Sequence, residues 1–193
     1  MQINAKLSKD KRIEIAAEEI FSKYGYEKAT LDQIISLADV GKGTVYKYFG
    51  NKEQLFYKLV SAKNEPFVEA LRVAVESESE LKDKLTAYFK VMVEFYQKNC
   101  ALWQIIYYEM LNDTHCTVVF DDEDNAQVIS RYSEDTVSDE VKERFLRYHN
   151  LLTSEFEILY KIVVDGMKEG TLKSGNARIA GSHLFFGVAM GIF

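Results

Sequence analysis

The feature that most constrains the fold is the spacing of apolar residues near the N-terminus, which follows the period of an α-helix. After Ser8 these residues fall at i, i+3, i+4, i+7, i+8 and i+11: Ile13, Ala16, Ala17, Ile20, Phe21 and Tyr24. Ser8 suits the N-cap of such a helix, and Gly25 suits the position just after its end. The chain therefore begins with one amphipathic helix.

Two shorter helices are predicted directly after the first. Thr30 and Gln33 have the spacing of a capping box, and the apolar residues that follow give a helix of about two turns. The pattern stops at residues 39–41, resumes over residues 43–49, and Asn51 then caps a further helix. Two short helices joined by a tight turn, with a first helix across them, are the plan of a helix-turn-helix, whose second helix enters the DNA major groove.

The rest of the chain is also predicted to be helical. Helices are expected over residues 80–99 and 139–168, and Asn176 can cap a last helix. Pro66 should kink or restart the helix that begins after Asn51, because proline lacks the amide hydrogen. No useful β-alternation and no internal repeat is found, and the acidic residues 121–124 are interpreted as a surface loop. The predicted fold class is all-α.

Composition excludes several classes of protein. With 193 residues, 47% hydrophobic and 28% charged, and one proline, the chain is expected to fold rather than to be disordered. The longest apolar run, residues 184–193, is about half of a membrane span, and charged residues follow the N-terminus where a signal peptide would be apolar. Two cysteines are too few for a disulfide framework. We expect a cytoplasmic protein without a membrane partner.

Charge is unevenly distributed along the chain. Residues 1–63 hold 11 Lys and Arg against 8 Asp and Glu, whereas residues 64–193 hold 13 against 22, and the net charge is -6. A weakly basic N-terminal third allows one end of an acidic protein to approach a polyanion. An ordinary fluctuation of surface charge would give the same asymmetry.

A spaced set of about twenty positions carries a family resemblance. It comprises Ala16-Ala17, Ile20-Phe21, Gly25-Tyr26, Thr30, Ile34, Ala38, Val40, the run KGTVYKYF at 42–49 and NKEQL at 51–55. This set, which covers roughly residues 11–59, resembles the N-terminal domain of the TetR family of transcriptional repressors. It departs from the usual family pattern at Ile35, Asp39 and Gly41, where alanine, glycine and serine are usual.

The resemblance implies an all-α homodimer with two parts. Residues 1–52 would form a three-helix DNA-binding head with the helix-turn-helix, and residues 53–193 a larger helical body for effector binding and dimerisation. By the same resemblance Tyr46 and Lys52 bind phosphate oxygens of double-stranded operator DNA. The other DNA-binding candidates are Thr44, Lys47 and Tyr48 nearest the bases, Lys42 at the helix start, and Thr30 and Gln33 on the preceding helix.

Aromatic and apolar side chains crowd the middle of the chain at helical spacing: Tyr88, Phe89, Met92, Phe95, Tyr96, Trp103, Ile106 and Tyr107. Such a stripe is either the plain core of the body or an apolar pocket whose tyrosine hydroxyls and indole N–H serve as polar handles. A pocket of this kind would admit a small lipophilic or aromatic effector. Both interpretations predict that the stripe is buried.

Small and apolar residues near the C-terminus predict a dimer interface. Ala177, Ala180 and Gly187 would allow two helices to approach closely, and Leu184 and Val188 would supply apolar area. The helix over residues 139–168 is expected to share this interface.

Metal and catalytic sites are not predicted. Asp113, His115 and Cys116 lie together, but the other cysteine is 16 positions away and no further histidine is close. The sequence has no Gly-rich phosphate loop, nucleophile elbow or zinc-binding His-Glu pair. We therefore expect no metal, no cofactor and no enzymatic activity.

These observations predict a ligand-responsive transcriptional regulator, a repressor that binds a near-palindromic operator as a homodimer. An effector among the aromatic residues would push the helix of residues 51–75, with Pro66 as its bending point, and release the DNA. The alternative is a helical binding module for a lipophilic ligand or a protein partner, whose head no longer reads DNA. The departures at Ile35 and Asp39 are the support for that alternative.

Overall fold

A computed structural model describes residues 3–110, 116–120, 126–130 and 138–192; for residues 109–110 and the segments 116–120 and 126–130 it describes the backbone alone. The described helices are α1 Lys9–Lys28, α2 Leu31–Ala38, α3 Lys42–Phe49, α4 Lys52–Glu76, α5 Leu81–Gln104, α6 Asp139–Lys168 and α7 Ala177–Ile192. A π-helical segment, Ile105–Met110, continues α5. The predicted all-α class is confirmed, with one small addition described below.

The predicted caps of α2 and the turn after it are confirmed. The backbone N–H of Gln33 donates to Thr30 Oγ1 at 3.2 Å, and the backbone N–H of Thr30 donates to Gln33 Oε1 at 2.8 Å. Asp39 ends α2 with φ of 50°, a left-handed conformation that aspartate tolerates better than most residues. Gly25, with φ of 74°, interrupts the regular helix of α1 at the predicted position.

The helix α4 passes through Pro66 without ending, so the prediction that Pro66 restarts the helix is wrong. Proline removes one helical hydrogen bond and crowds the preceding turn, at a cost of about 3 kcal/mol in a helix interior. Buried side chains lie on both sides of it, among them Asn64, Phe67 and Leu71. Their packing holds α4 together across the proline.

The fifth helix continues beyond its predicted end at residue 99. Asn99 has non-helical angles, φ of -115° and ψ of 20°, and its Nδ2 donates to the carbonyl oxygen of Phe95 at 2.9 Å. The helix then resumes, because Leu102, Trp103 and Ile106 are all buried in the core. The irregularity is therefore local to Asn99.

A two-stranded antiparallel hairpin lies between the π-helical segment and α6. Strand β1, Cys116–Phe120, pairs with β2, Ala126–Ser130, with Cys116 opposite Ser130. The prediction that no strand occurs is wrong for these ten residues, whose β-branched content suits a short ladder. The acidic residues 121–124, Asp113 and His115 lie outside the described residues, as does the side chain of Cys116.

One continuous apolar core joins the first helix to the last. Phe56 of α4 shows this, since its ring lies 4.9 Å from that of Phe21 in α1 and 6.0 Å from that of Tyr148 in α6. The predicted boundary between residues 52 and 53 falls in the first turn of α4, a helix that packs against both parts. The division into head and body at that position stays a prediction.

Candidate DNA-binding surface and effector site

The helix α3 has one buried face and one exposed face. Val45 and Phe49 are buried, and Thr44 is half-buried beside them. Tyr46 and Tyr48 expose 46% and 44% of their surface, which is unusual for large aromatic side chains. The packed face thus fixes α3 on the head and leaves Lys47 and Tyr48 outside, whereas Thr44, the third predicted base-reading residue, is half-buried.

The exposed face of α3 carries the chemistry that DNA contact requires. Lys47 and Lys42 are exposed with the two tyrosines. Lys42 Nζ lies 3.4 Å from Asp32 Oδ1, whereas Lys47 has no ion pair among the described residues. Ammonium and phenol groups on one exposed helix face can donate to phosphate oxygens and to base edges.

Thr30 and Gln33 are engaged with each other at the N-terminus of α2. Each side chain accepts a hydrogen bond from the other residue's backbone N–H. The backbone N–H of Thr30, which could otherwise donate to a DNA phosphate, therefore already has a partner. Both residues still lie at the positive end of a helix on the head. Their contact with DNA stays a prediction.

Lys52 lies against the end of α1. Its Nζ donates to the carbonyl oxygens of Tyr26 at 2.9 Å, Ala29 at 3.2 Å and Glu27 at 3.4 Å, and lies 4.4 Å from the centroid of the Tyr26 ring. A cation there satisfies carbonyls that a helix end leaves without donors and faces the negative end of the helix dipole. The phosphate contact implied by the family resemblance stays a prediction, and it competes with this role inside the chain.

Lys58 is a second anchoring lysine that the sequence did not reveal. Its Nζ donates to the carbonyl oxygen of Tyr48 at 2.7 Å and lies 5.2 Å from the centroid of the Phe49 ring. It therefore holds the C-terminal end of α3, as Lys52 holds that of α1. Through these two lysines, α4 contacts the C-terminal ends of both α1 and α3.

An ion pair and three rings connect the first turns of α4 to α6. Arg147 Nη1 lies 3.3 Å from Glu53 Oε2, and its guanidinium lies 5.6 Å from the centroid of the Tyr57 ring. The buried ring of Tyr148 contacts those of Tyr57 at 5.8 Å and Phe56 at 6.0 Å. Sequence patterns could not find this junction, because Glu53 and Arg147 are 94 positions apart.

The structure brings the predicted aromatic set together. Six members are buried, namely Tyr88, Met92, Tyr96, Trp103, Ile106 and Tyr107, whereas Phe89 and Phe95 are half-buried. Phe95 packs edge-on against Trp103 with ring centroids 4.6 Å apart and stacks on Phe67 at 3.8 Å. Burial of the stripe is confirmed in these six residues, and its role as an effector pocket stays a prediction.

A carboxyl group that the sequence did not single out lies in this aromatic set. Glu155 of α6 is completely buried, and its Oε1 accepts from the Tyr96 hydroxyl at 2.9 Å. The hydroxyls of Tyr96 and Tyr107 lie 2.9 Å apart, and the Tyr88 hydroxyl donates to the backbone oxygen of Glu155 at 3.0 Å. Burial raises the pKa of Glu155 well above its ordinary value.

A cavity of about 490 Å³ lies apart from the aromatic set, between the end of α4, the start of α5 and α6. Val75, Leu81, Ile158 and Ile162 give it an apolar floor, and charged side chains surround them. None of the eight predicted pocket residues lines this cavity. Phe89 alone among them borders the neighbouring depression of about 450 Å³ near Leu85.

The helix α7 has an exposed apolar face that only partly matches the predicted interface. Leu184 and Gly187 are exposed, whereas Ala177, Ala180 and Val188 are half-buried against the same chain. Three large exposed residues on this helix were not among the predicted interface residues: Ile179 at 55%, Phe186 at 48% and Met190 at 41%. Their i, i+7, i+11 spacing places them on one side. The dimer interface stays a prediction.

The described part of the chain contains no helix that is both long and apolar enough to cross a membrane. Within the same residues, no group of three or more His, Cys, Asp or Glu side chains is placed to hold a metal ion.

Comparison with known sequences assigns the head to a family. The family model described as bacterial regulatory proteins, tetR family, matches residues 15–59, which extend from α1 into α4. The HTH-type transcriptional regulator YhgD of Bacillus subtilis is 46% identical over 50 residues, which are 26% of each chain. The fatty acid metabolism regulator protein of Bacillus subtilis is 26% identical over 171 residues, covering 88% of this chain and 74% of that protein.

Solved structures share the fold over nearly the whole chain. The fatty acid degradation regulator FadR from Bacillus halodurans has a TM-score of 0.71 at 20% identity, covering 98% of this chain and 84% of that one. The transcriptional regulator FadR from Bacillus subtilis, in complex with stearoyl-CoA, has a TM-score of 0.70 at 22% identity, covering 94% and 84%. Residues 15–59 of this chain therefore match the tetR family of bacterial regulatory proteins, and the fold of nearly the whole chain is that of the two FadR structures.

Proposed function

We propose that the chain is a cytoplasmic, non-enzymatic repressor that binds a near-palindromic operator as a homodimer and is released by a small lipophilic effector. The observation that carries the proposal is the exposed face of α3, where Tyr46, Lys47 and Tyr48 stand outward while Val45 and Phe49 anchor the helix. A helix fixed in this way presents its outer side chains to a major groove without reorganisation.

A symmetric dimer follows from the exposed apolar face of α7. Ile179, Phe186 and Met190 would leave a contiguous apolar surface in water unless a partner covers it. A two-fold axis through this face makes the contact self-complementary and presents two copies of α3 to the DNA. Those two helices must lie about 34–36 Å apart to enter successive major grooves.

The effector acts through α6 in this proposal. Tyr148 and Glu155 are seven residues apart, or about two helical turns, and both side chains face the core. A ligand that moves α6 near Glu155 therefore moves Tyr148 and the Arg147–Glu53 ion pair at the start of α4. A coupling free energy of about 1–3 kcal/mol would change operator affinity about 5- to 150-fold.

The relatives support a lipophilic effector. A relative from Bacillus subtilis is named as a fatty acid metabolism regulator, and the solved structure of FadR from the same organism contains stearoyl-CoA. An aromatic and aliphatic core in the body of this chain suits a ligand with a long apolar part.

A gel-shift assay tests the proposal against the binding-module alternative. The probe is DNA from upstream of the protein's own gene and of its neighbours, at a stated salt concentration and with excess unrelated DNA. We expect a shift that survives the competitor and weakens in Lys47→Ala. The matched control is Lys173→Ala, which changes another exposed lysine far along the chain and should bind as the unmodified protein does. Loss of every shift to the competitor would favour the binding module.

A further inference from the structure

The cavity of about 490 Å³ is bordered by α4, α5 and α6. Nearer their N-terminal ends α4 and α6 are in contact: Arg147 Nη1 lies 3.3 Å from Glu53 Oε2, and Asn64 Nδ2 donates to the carbonyl oxygen of Leu151 at 3.2 Å. Beyond Asn64, side chains from residues 72–78 of α4 and 154–169 of α6 line the cavity, and the start of α5 forms its third side.

The floor of the cavity is apolar, and its volume suits a small molecule. Four aliphatic side chains line it: Val75, Leu81, Ile158 and Ile162. Ligand sites in proteins have volumes of about 300–1,000 Å³ and combine apolar walls with a small number of polar groups. The cavity can therefore cover the apolar part of a ligand.

The wall is polar at Ser154, which offers an acceptor to the cavity. Its hydroxyl donates to the carbonyl oxygen of Leu151 at 2.7 Å and accepts from Asn64 Nδ2 at 3.2 Å. A hydroxyl has one hydrogen and two lone pairs, so one lone pair of Ser154 remains. Beside it Asn64, which is 6% exposed, has an Oδ1 atom without a hydrogen-bond partner among the described residues. This part of the wall suits a ligand that donates hydrogen bonds.

Acidic side chains predominate among the charges around the floor. Of the eight charged residues that line the cavity, Glu157 is paired with Arg178 at 3.3 Å, and Arg72 with Glu69 at 3.7 Å. The other six form no ion pair within the described part of the chain, and they are four acids and two lysines: Glu76, Glu78, Asp165, Glu169, Lys84 and Lys161. Asp165 is half-buried, so water screens its charge less than that of an exposed acid.

Two helix ends add to the negative potential. The helix α4 ends at Glu76 without a basic residue in its last turn, and Glu169 is the C-cap of α6. A helix C-terminus carries about half a negative charge and is stabilised by a nearby cation. The N-terminus of α5 at Leu81 is positive and offsets part of this potential, whereas both C-termini and the unpaired acids favour a cation.

We propose that this cavity is the effector site and that it binds an organic ammonium ion with an apolar chain. The inference rests on the proposed function and names the chemical class of the effector. The apolar chain would lie on the aliphatic floor, and the N–H groups would donate to Asp165 and Ser154. A fatty carboxylate of the same length is disfavoured, because it brings a negative charge to four unpaired acids.

A ligand in the cavity would act on the spacing of α4 and α6. Glu76 borders the cavity, and Glu53, which is paired with Arg147 of α6, lies 23 positions before it in the same helix. The helix α4 therefore connects the cavity to that ion pair over about 35 Å. A ligand that separates the two helices at the cavity changes their angle and, with it, the geometry at Glu53 and Arg147.

Three probes with the same chain length test the chemical class: decylammonium, decan-1-ol and decanoate. Each is titrated into the protein at neutral pH by calorimetry, below the concentration at which it forms micelles. We expect decylammonium to bind at least about tenfold more tightly than decanoate, with the alcohol between them. Decanoate binding as tight as that of decylammonium overturns the proposal.

A double variant locates the contact. Glu76→Gln with Asp165→Asn keeps the shape of both side chains and removes one unpaired carboxylate from each helix. We expect decylammonium to bind about tenfold more weakly and decan-1-ol to bind as before. The matched control is Glu94→Gln with Glu143→Gln, which removes the same charge from acids of α5 and α6 outside the cavity and should bind all three probes like the unmodified protein. Equal decylammonium affinity in the two double variants overturns the proposal.

The two proposals fail in different ways. If decylammonium binds as described but leaves operator affinity unchanged, the site stands and the effector-responsive function fails. If the protein binds its operator specifically and decylammonium does not bind, the regulator stands and this site is overturned.

Discussion

Replacing Lys52 with methionine separates its role inside the chain from a role on DNA. The substitution keeps an unbranched apolar stem over Tyr26 but removes the ammonium that donates to three carbonyl oxygens at 2.9, 3.2 and 3.4 Å. The end of α1 then has no cation to satisfy it. We expect the folded state to be destabilised.

The size of the effect follows from the contacts. A hydrogen bond to a charged group contributes about 1.5–3 kcal/mol to stability. Because Lys52 is only half-buried, its three hydrogen bonds together contribute less than three times that amount. We therefore expect a loss of about 2 kcal/mol in the free energy of unfolding. For a chain of this length, that corresponds to a fall in Tm of about 4–8 °C.

Urea and thermal unfolding, followed by circular dichroism, measure this loss. The control is Lys47→Met, which makes the same chemical change at an exposed lysine without an ion pair in the described structure and should stay within about 0.5 kcal/mol. If Lys52→Met keeps its stability but binds DNA more weakly, with a salt slope flatter by about one unit, Lys52 contacts phosphate and does not stabilise the end of α1.

The remaining predictions concern base reading, dimerisation and pH. Lys47→Ala should alter base preference at one operator position by about 1–3 kcal/mol, as measured by competition among operator variants; an unchanged preference would show that Lys47 reads no base. Phe186→Glu should give monomers in sedimentation at micromolar concentration, because it puts a charge in the apolar face of α7; a dimer would place the interface elsewhere. The raised pKa of Glu155 makes the folded state bind the extra proton, so the free energy of unfolding falls as pH rises above 4.5, by up to about 1.4 kcal/mol per pH unit. Glu155→Gln should lose that fall between pH 5 and 7, and parallel profiles would contradict it.

Local patterns in the sequence were sufficient for the caps of α2 and α4 and for the bounds of α6. Thr30 with Gln33 and Asn51 with Gln54 are three positions apart, and both pairs form the expected hydrogen bonds. The bounds of α6, Asp139–Lys168, are those that the apolar period predicts. These features depend on neighbours within one turn, which a single sequence displays directly.

Features that depend on distant partners could not be predicted. Lys58 donates a hydrogen bond to the end of α3, and Glu155 accepts one from Tyr96, 59 positions away. Pro66 was misjudged for the same reason, since packing by residues from other helices holds α4 through it. Helix propensity describes an isolated segment, whereas the conformation and contacts of these three residues depend on tertiary packing.

We propose that two copies of α3 read DNA side by side, and a hydroxyl-radical footprint on the operator tests this arrangement. We expect two protected half-sites related by a two-fold axis, with centres about one helical turn or a whole multiple of it apart. Lys47→Ala should weaken both half-sites equally. A single protected segment, or protection that ignores sequence, would contradict the claim.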